Sequence, residues 1–297
     1  MHDSHIHMAL SPLLENYQSD IQEFVQEDGK KILVQSTHMG DFTETMDVVE
    51  KINRVFPNIA DLALGIHPTI FEEAVQRSSL TGLDIFKYAK KQLSYFEDRL
   101  EKNIKKVKAV GETGLDYFNM NTYGQFSNQQ KEDLIEIQKL SFRLHCKLAK
   151  KYSLPLSIHS RDITGSKSCT KDVLEILAQE GKGLLTGSFH SYTGEKDMVE
   201  EILNMGFYIG FNAIITYPAG ENVRDILKVT PVERILFETD GPFLPTQSVR
   251  KNKKGLKRYG RPVLIKEIIE CAAQIKNVPT KTLEEITDSN YITLFGS

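Results

Sequence analysis

The chain has 297 residues, 40% of them hydrophobic and 26% charged, a balance that suits a large packed core and excludes disordered or fibrous classes. A formal charge of −3 rules out a bulk attraction for polyanions, so any nucleic-acid partner has to be drawn by a local patch. No run approaches the roughly 18 apolar residues of a membrane span. The first Lys or Arg is Lys30, and Cys146, Cys169 and Cys271 match neither a disulfide framework nor a Cys-x-x-Cys metal site. The expected location is therefore the cytoplasm, with the nucleus as the alternative.

Short β-rich runs alternate with longer helical patterns, the signature of βα units and a parallel sheet. In the first run, DSHIHM (3–8), an extended strand puts Asp3, His5 and His7 on one face and Ser4 and Ile6 on the other. Two neutral imidazoles on one face make a metal half-site, although a lone His-x-His in a polar tail decides nothing. His2, ahead of them, is expected to be solvated. KILVQS (31–36) follows, with His38 just past its end, and then ADLALGIH (60–67), which ends in His67 before Pro68. The stretch 71–100 is oversized for one crossover and reads as an insertion that decorates the fold.

VKAVGE (107–112) ends in Glu112. Beyond it, Ser127 and Gln130 form a capping-box pattern, and Leu134, Ile137, Ser141, Leu144 and Leu148 recur at helical spacing. His145, one residue off that stripe, reads as a structural or surface residue. LPLSIH (154–159) ends in His159, LLTGSFH (184–190) in His190, FYIGF (207–211) comes seventh, and RILFETD (234–240) ends in Asp240. Shorter helices are expected over 171–180, 195–205 and 222–229. With no repeat or low-complexity linker, 1–297 reads as a single domain.

Eight such units in this length fit a (β/α)₈ TIM barrel, whose active sites lie at the carboxyl ends of the strands; an open doubly wound sheet is the alternative. His5, His7, Glu112, His159, His190 and Asp240 then meet at one rim. Singly, each has a plainer reading: His159 as a core histidine, Glu112 as a local cap, His190 and Asp240 as turn residues. Together they would crowd polar groups into a confined space with few partners unless a cation sits among them. Four imidazoles and two carboxylates exceed what one tetrahedral ion needs and point to two divalent ions about 3.5–4 Å apart, sharing a carboxylate and serving hydrolysis. Glu238, one layer deeper than Asp240, is placed to orient an imidazole, and Asp3 stands in the same relation to His5 and His7.

Six blocks in order, DSHIHM, GIHP (65–68), VGETGLDY (110–117), LPLSIHSRD (154–162), FHSYTG (189–194) and FETDGPFL (237–244), resemble the TatD-like metal-dependent deoxyribonucleases, a family of amidohydrolase-type barrels within the metallo-dependent hydrolases. The resemblance implies that His5 and His7 hold one ion, His159 and His190 the other, and that Glu112 bridges them. It also implies that Asp240 contacts the first ion and takes a proton from the attacking water, which makes Asp240 and Glu112 the catalytic candidates. It implies a magnesium- or manganese-dependent nuclease that trims DNA, often from the 3′ end, with zinc seen on similar ligands. Imidazole-rich ligation suits zinc or manganese better than magnesium. Two departures touch the substrate edge: Met8 and Ala9 replace a common acidic or amide position, and RYGRP (258–262) stands where relatives carry Asn-Pro.

A phosphodiester substrate is suggested by RKNKKGLKRYGR (250–261), seven Lys or Arg with no acid, expected to overhang the site and track phosphates. A charged run is as commonly a solvated surface. Arg161 is placed for a bidentate phosphate contact, Tyr117 and Tyr259 for stacking on bases, and His67 for a phosphate or merely a tight turn. The leading expectation is thus a two-metal phosphodiesterase acting on DNA, with no membrane and no obligate protein partner. The alternatives are a two-metal amidohydrolase or phosphoesterase acting on a small molecule, and a non-catalytic scaffold that keeps its metal for stability.

Overall fold

A computed structural model describes residues 1–78 and 82–296. β1 (His2–Ile6) leads through α1 (Leu13–Gln26) to β2 (Lys31–Gln35), and α2 (Phe42–Val55) leads to β3 (Ala60–Leu64). Two helices, α3 (Ile70–Ser78) and α4 (Leu83–Asn103), occupy the next crossover before β4 (Val107–Asp116). α5 (Phe118–Thr122) and α6 (Asn128–Tyr152) precede β5 (Leu156–Arg161), and α7 (Ser168–Gly181) precedes β6 (Gly187–Phe189). α8 (Val199–Asn204) and α9 (Glu221–Val229) lead to β7 (Tyr208–Phe211) and β8 (Ile235–Phe237) respectively. α10 (Gln247–Lys251), α11 (Ile265–Lys276) and α12 (Thr280–Phe295) follow the last strand.

The strands lie in the order β1 to β8, each parallel to the next. The seam between β8 and β1 is closed just past the strand ends: the Asp240 N–H donates to the His5 carbonyl at 2.9 Å and the His7 N–H to the Gly241 carbonyl at 2.8 Å. The Ser4 hydroxyl adds a bond to the Phe237 carbonyl at 3.0 Å. The (β/α)₈ barrel is therefore the fold, and the open sheet is excluded. Both faces of each strand are covered, which is why β3, β6, β7 and β8 are buried throughout, the polar Asp61 and Ser188 included.

Strand ends differ from the sequence expectation where the chemistry lies. β6 and β8 stop before His190 and Asp240, which sit on the loops that follow, whereas β4 runs past Glu112 to Asp116 and pairs with β5 as far as Arg161. A register shift between Val110 and Thr113 lets it continue. Gly114 makes this approach feasible: its φ is 139°, and a Cβ there would collide with the His159 carbonyl.

The stretch 71–100 forms most of α3 and α4, apart from residues 79–81, which lie outside the described residues. Phe96 of α4 packs against Phe42 of α2 and stacks on His145 of α6 at 4.2 Å between ring centroids. The capping box of α6 forms, with Ser127 and Gln130 bonded reciprocally. His145 points inward and is fully buried. One ring nitrogen donates to the Ser141 carbonyl at 2.8 Å and the other accepts from the Ile66 N–H at 3.0 Å. Burial lowers its pKa to about 4, so it is a neutral structural residue. Leu144, expected on the stripe, is only half-buried as a result.

At the amino ends of the strands, α12 brings Tyr291 and Phe295 against Leu33, Ala63, Ala109 and Leu236. This lid corrects the expectation for His2. Instead of being solvated, it is 7% exposed, stacked on Tyr291 and bonded through Nδ1 to Asp288 at 2.6 Å. Among the described residues, no helix is long and apolar enough to cross a membrane.

Candidate metal centre

The six residues expected at one rim are brought together there, and His67 joins them. His5 Nε2 and His7 Nε2 lie 3.2 Å apart, because the pair leaves β1 with both rings turned inward. Glu112 Oε2 is 3.4 Å from His5 Nε2 and 3.5 Å from His7 Nε2, and Asp240 Oδ1 is 3.5 Å from His7 Nε2 and 4.0 Å from His5 Nε2. The other carboxylate oxygen, Oε1, faces a second group: His190 Nε2 at 3.0 Å, His159 Nδ1 at 3.1 Å and His67 Nε2 at 3.3 Å. Glu112 thus turns one oxygen to each set. Asp240 reaches its place through a left-handed backbone, φ 52°, a conformation that Asp tolerates better than most residues.

These spacings fit cations. Tetrahedral ligands at bonds of about 2.0–2.1 Å sit about 3.3–3.4 Å apart, close to the separations in both groups. The donor set, imidazole nitrogens and carboxylate oxygens, is that of zinc and manganese. The electrostatics agree. Burial pushes the Glu112 carboxyl up, but His67, His190 and His5 outweigh it and hold it well below the usual range. Burial pushes His159 down, yet Asp116 and Glu112 raise it to about 9, and Glu112 likewise lifts His190 well above its ordinary value. Burial, joined by the neighbouring His190, takes His5 down to about 3.

Outer contacts hold two of the rings, His159 and His5. His159 Nε2 bonds Asp116 Oδ2 at 2.9 Å, leaving Nδ1 for the centre. Asp116 also accepts from the Asn119 N–H at 2.7 Å. The side chain of Gln138 bridges the Asp116 backbone to Glu72, a buried carboxylic acid that burial raises to about 8. Neither Asp116 nor Glu72 was expected at the site. The signal for Asp116 is its spacing, four residues beyond Glu112 on a strand that runs further than its apolar stretch. His5 Nδ1 meets the Ser157 hydroxyl at 3.1 Å. Glu238 lies 3.4 Å from His190 Nδ1, which makes no hydrogen bond among the described residues, and accepts from the Ser191 N–H at 2.5 Å. His7 Nδ1 is buried with no hydrogen-bond partner among the described residues.

Three expectations are corrected. Asp3 does not orient an imidazole; it accepts from the Thr239 and His5 N–H groups at 2.9 and 3.2 Å and so secures the β1–β8 seam. Tyr117 cannot stack on a base, because it is 4% exposed and its hydroxyl donates to Asp172 at 2.7 Å. The basic run is anchored to α1 at one end. Lys257 pairs with Asp20 at 2.8 Å and Glu23 at 2.6 Å, Arg261 with Glu23, and the Tyr259 hydroxyl donates to Asp20 at 2.8 Å. α1 supplies both acids, so Lys257 and Arg261 are neutralised by a helix whose charge the run alone does not reveal.

A cavity of about 410 Å³ opens over the centre toward His38 and Thr69, and an adjoining one of about 290 Å³ runs toward Arg161 and Thr193. Both share His159, His190, Asp240 and Phe243 as walls. Arg161 is exposed, its guanidinium 4.1 Å above the Phe118 ring. Phe243, absent from the expected site, is 59% exposed and meets His7 edge-on at 5.7 Å. The sequence hint was its place in the FETDGPFL block.

A closed eight-stranded barrel with imidazoles and carboxylates at its carboxyl rim defines the class of metal-dependent (β/α)₈ hydrolases. Residues 2–296 match the sequence model of the TatD related DNases, and the chain belongs to that family. It is 29% identical over 297 residues to the metal-dependent hydrolase YabD of Bacillus subtilis, an alignment covering 99% of this chain and 98% of that one. The crystal structure of YjjV, a TatD homolog from Escherichia coli K12, matches with a TM-score of 0.77 at 24% identity, over 100% of this chain and 98% of that one. A lactonase from Listeria monocytogenes matches at a TM-score of 0.66 and 16% identity, over 99% and 94% of the two chains. At these identities the two structures speak for the fold alone.

Proposed function

We propose that the protein is a two-ion deoxyribonuclease that hydrolyses DNA phosphodiester bonds as a 3′–5′ exonuclease. The observation that carries this reading is Glu112, whose two oxygens face separate sets of nitrogens at 3.0–3.5 Å. His5, His7, Asp240 and Glu112 Oε2 would hold one ion, and His159, His190 and Glu112 Oε1 the other, with His67 beside the second. Magnesium, manganese or zinc ions held there would supply positive charge to the oxygens of a phosphodiester and would acidify water. Asp240 takes the proton of the attacking water from the cavity side, since its carboxylate lines both cavities. Arg161 binds a flanking phosphate, and the exposed Phe243 ring offers a base a stacking face. The family description supports DNA as substrate. The three free cysteines support a reducing compartment such as the cytoplasm.

The test uses single-stranded DNA labelled at the 3′ or the 5′ end, with protein stripped by chelation and reloaded with each metal. Early loss of the 3′ label, metal dependence and a rate that falls steeply with salt are expected. Asp240→Asn lowers turnover by about 10²–10⁴-fold; an unchanged rate in the folded variant overturns the assignment. A second reading, a small ester or lactone as substrate, is favoured by the anchoring of Lys257 and Arg261 on α1, which neutralises two cations of the basic run. Salt-insensitive hydrolysis of a lactone with no attack on DNA would establish it.

A further inference from the structure

His38 stands beside the centre without belonging to it. The Ser36 carbonyl accepts from the Glu112 N–H at 3.3 Å and the Thr37 carbonyl from the His67 N–H at 2.8 Å, so the end of β2 is bonded to two residues of the centre and His38 is the next in the chain. Its side chain is 42% exposed and lines the cavity of about 410 Å³. Nδ1 lies 3.2 Å from both Asp41 Oδ2 and the Thr37 hydroxyl oxygen. The buried Asp41 is fixed in turn by the Thr37 N–H at 2.9 Å and the Thr37 hydroxyl at 2.7 Å. With Nδ1 engaged by Asp41 and Thr37, Nε2 is the ring nitrogen left to meet a substrate. Gly40 leaves room for it, since a Cβ there would lie 3.1 Å from Nε2. Asp41 raises the imidazole above its ordinary pKa against partial burial; Glu73 adds to the rise and Arg77 opposes it.

We propose that His38 is a catalytic residue that donates the Nε2 proton to the leaving oxygen of a phosphodiester seated in the larger cavity. This rests on the phosphodiesterase reading above. In the step, the water oxygen bonds to phosphorus as the bond from phosphorus to the leaving oxygen breaks. The water proton passes to the Asp240 carboxylate, and the His38 proton passes to the leaving oxygen to give an alcohol. Asp240 then releases its proton to solvent and His38 regains one, so one water is consumed. Asp41 is a positioning residue that keeps Nδ1 engaged and Nε2 turned to the cavity.

The test compares metal-loaded wild type with His38→Gln on two substrates: a DNA dinucleotide, whose alkoxide needs a proton to leave, and bis(p-nitrophenyl) phosphate, whose phenolate does not. The variant is expected to lose about 10²-fold or more in kcat on the dinucleotide and to keep the wild-type rate on the aryl ester, which also reports that it is folded. Asp41→Asn should show the same selectivity in weaker form. Equal losses on both substrates, or no loss on either, overturn the proposal and leave the phosphodiesterase reading standing. A wild-type protein inert on both substrates overturns the reading and the proposal together.

Discussion

Metal removal probes the centre through stability before any substrate is chosen. A ligand that binds only the folded chain adds about 2.7 kcal/mol when present at a hundred times its Kd. An unfolding entropy of about 2.1 cal/mol/K per residue, summed over 297 residues, gives about 0.6 kcal/mol per kelvin. One ion therefore raises Tm by about 4 °C, and two by about 9 °C. Both increments depend on Glu112, whose carboxylate faces nitrogens of both sets at 3.0–3.5 Å. Glu112→Gln keeps the shape and removes the charge, so less than half of the rise should survive. The assay is differential scanning calorimetry of chelator-treated protein titrated with zinc or manganese, each chain compared with its own metal-free Tm. No metal-dependent rise in wild type, or a rise of equal size in Glu112→Gln, would refute the shared-carboxylate reasoning.

Phe243→Ala should raise KM for single-stranded DNA with little change in kcat, because base stacking on an aromatic contributes about 1–3 kcal/mol, roughly 5- to 150-fold; a KM equal to wild type would remove the ring from the substrate path. Asp288 offers a pH test at the other end of the barrel. Burial pushes its carboxyl up, but His2, Lys30 and the N-terminal ammonium outweigh it and hold it at about 2. A carboxylate depressed in the folded state stabilises above its unfolded value of about 3.9 and loses that contribution as pH falls through about 2. Asp288→Asn should therefore cost about 1–2 kcal/mol in urea unfolding near neutral pH, with the gap to wild type closing toward pH 2. A gap independent of pH would mean that packing, and not charge, holds α12 over the strands.

The barrel was legible because short β-rich runs alternate with helical patterns and because the inward-facing histidines fall at or near the ends of those runs. Which polar residues stand behind those ligands was less so. Asp116 lies on a part of β4 that continues only because Gly114 permits a close approach to β5, a backbone property that apolar patterning does not register. Strand alternation predicts Asp3 on the face of His5 and His7, yet the register of β1 shifts between Asp3 and Ile6 and the carboxylate is taken by the His5 and Thr239 N–H groups at the seam. Tyr117 and Lys257 fail as substrate contacts for one shared reason: their partners, Asp172 and Asp20, are 55 and 237 residues away in the chain. Local composition carries no trace of such pairings.

Ion content at the rim tests the central claim most directly. Crystals grown with zinc or manganese and measured at the absorption edge of that metal should show two anomalous peaks per chain, one between Glu112 Oε2 and the pair His5 and His7, the other between Glu112 Oε1 and the pair His159 and His190. A single peak, or peaks that leave either oxygen of Glu112 without an ion, would contradict the account.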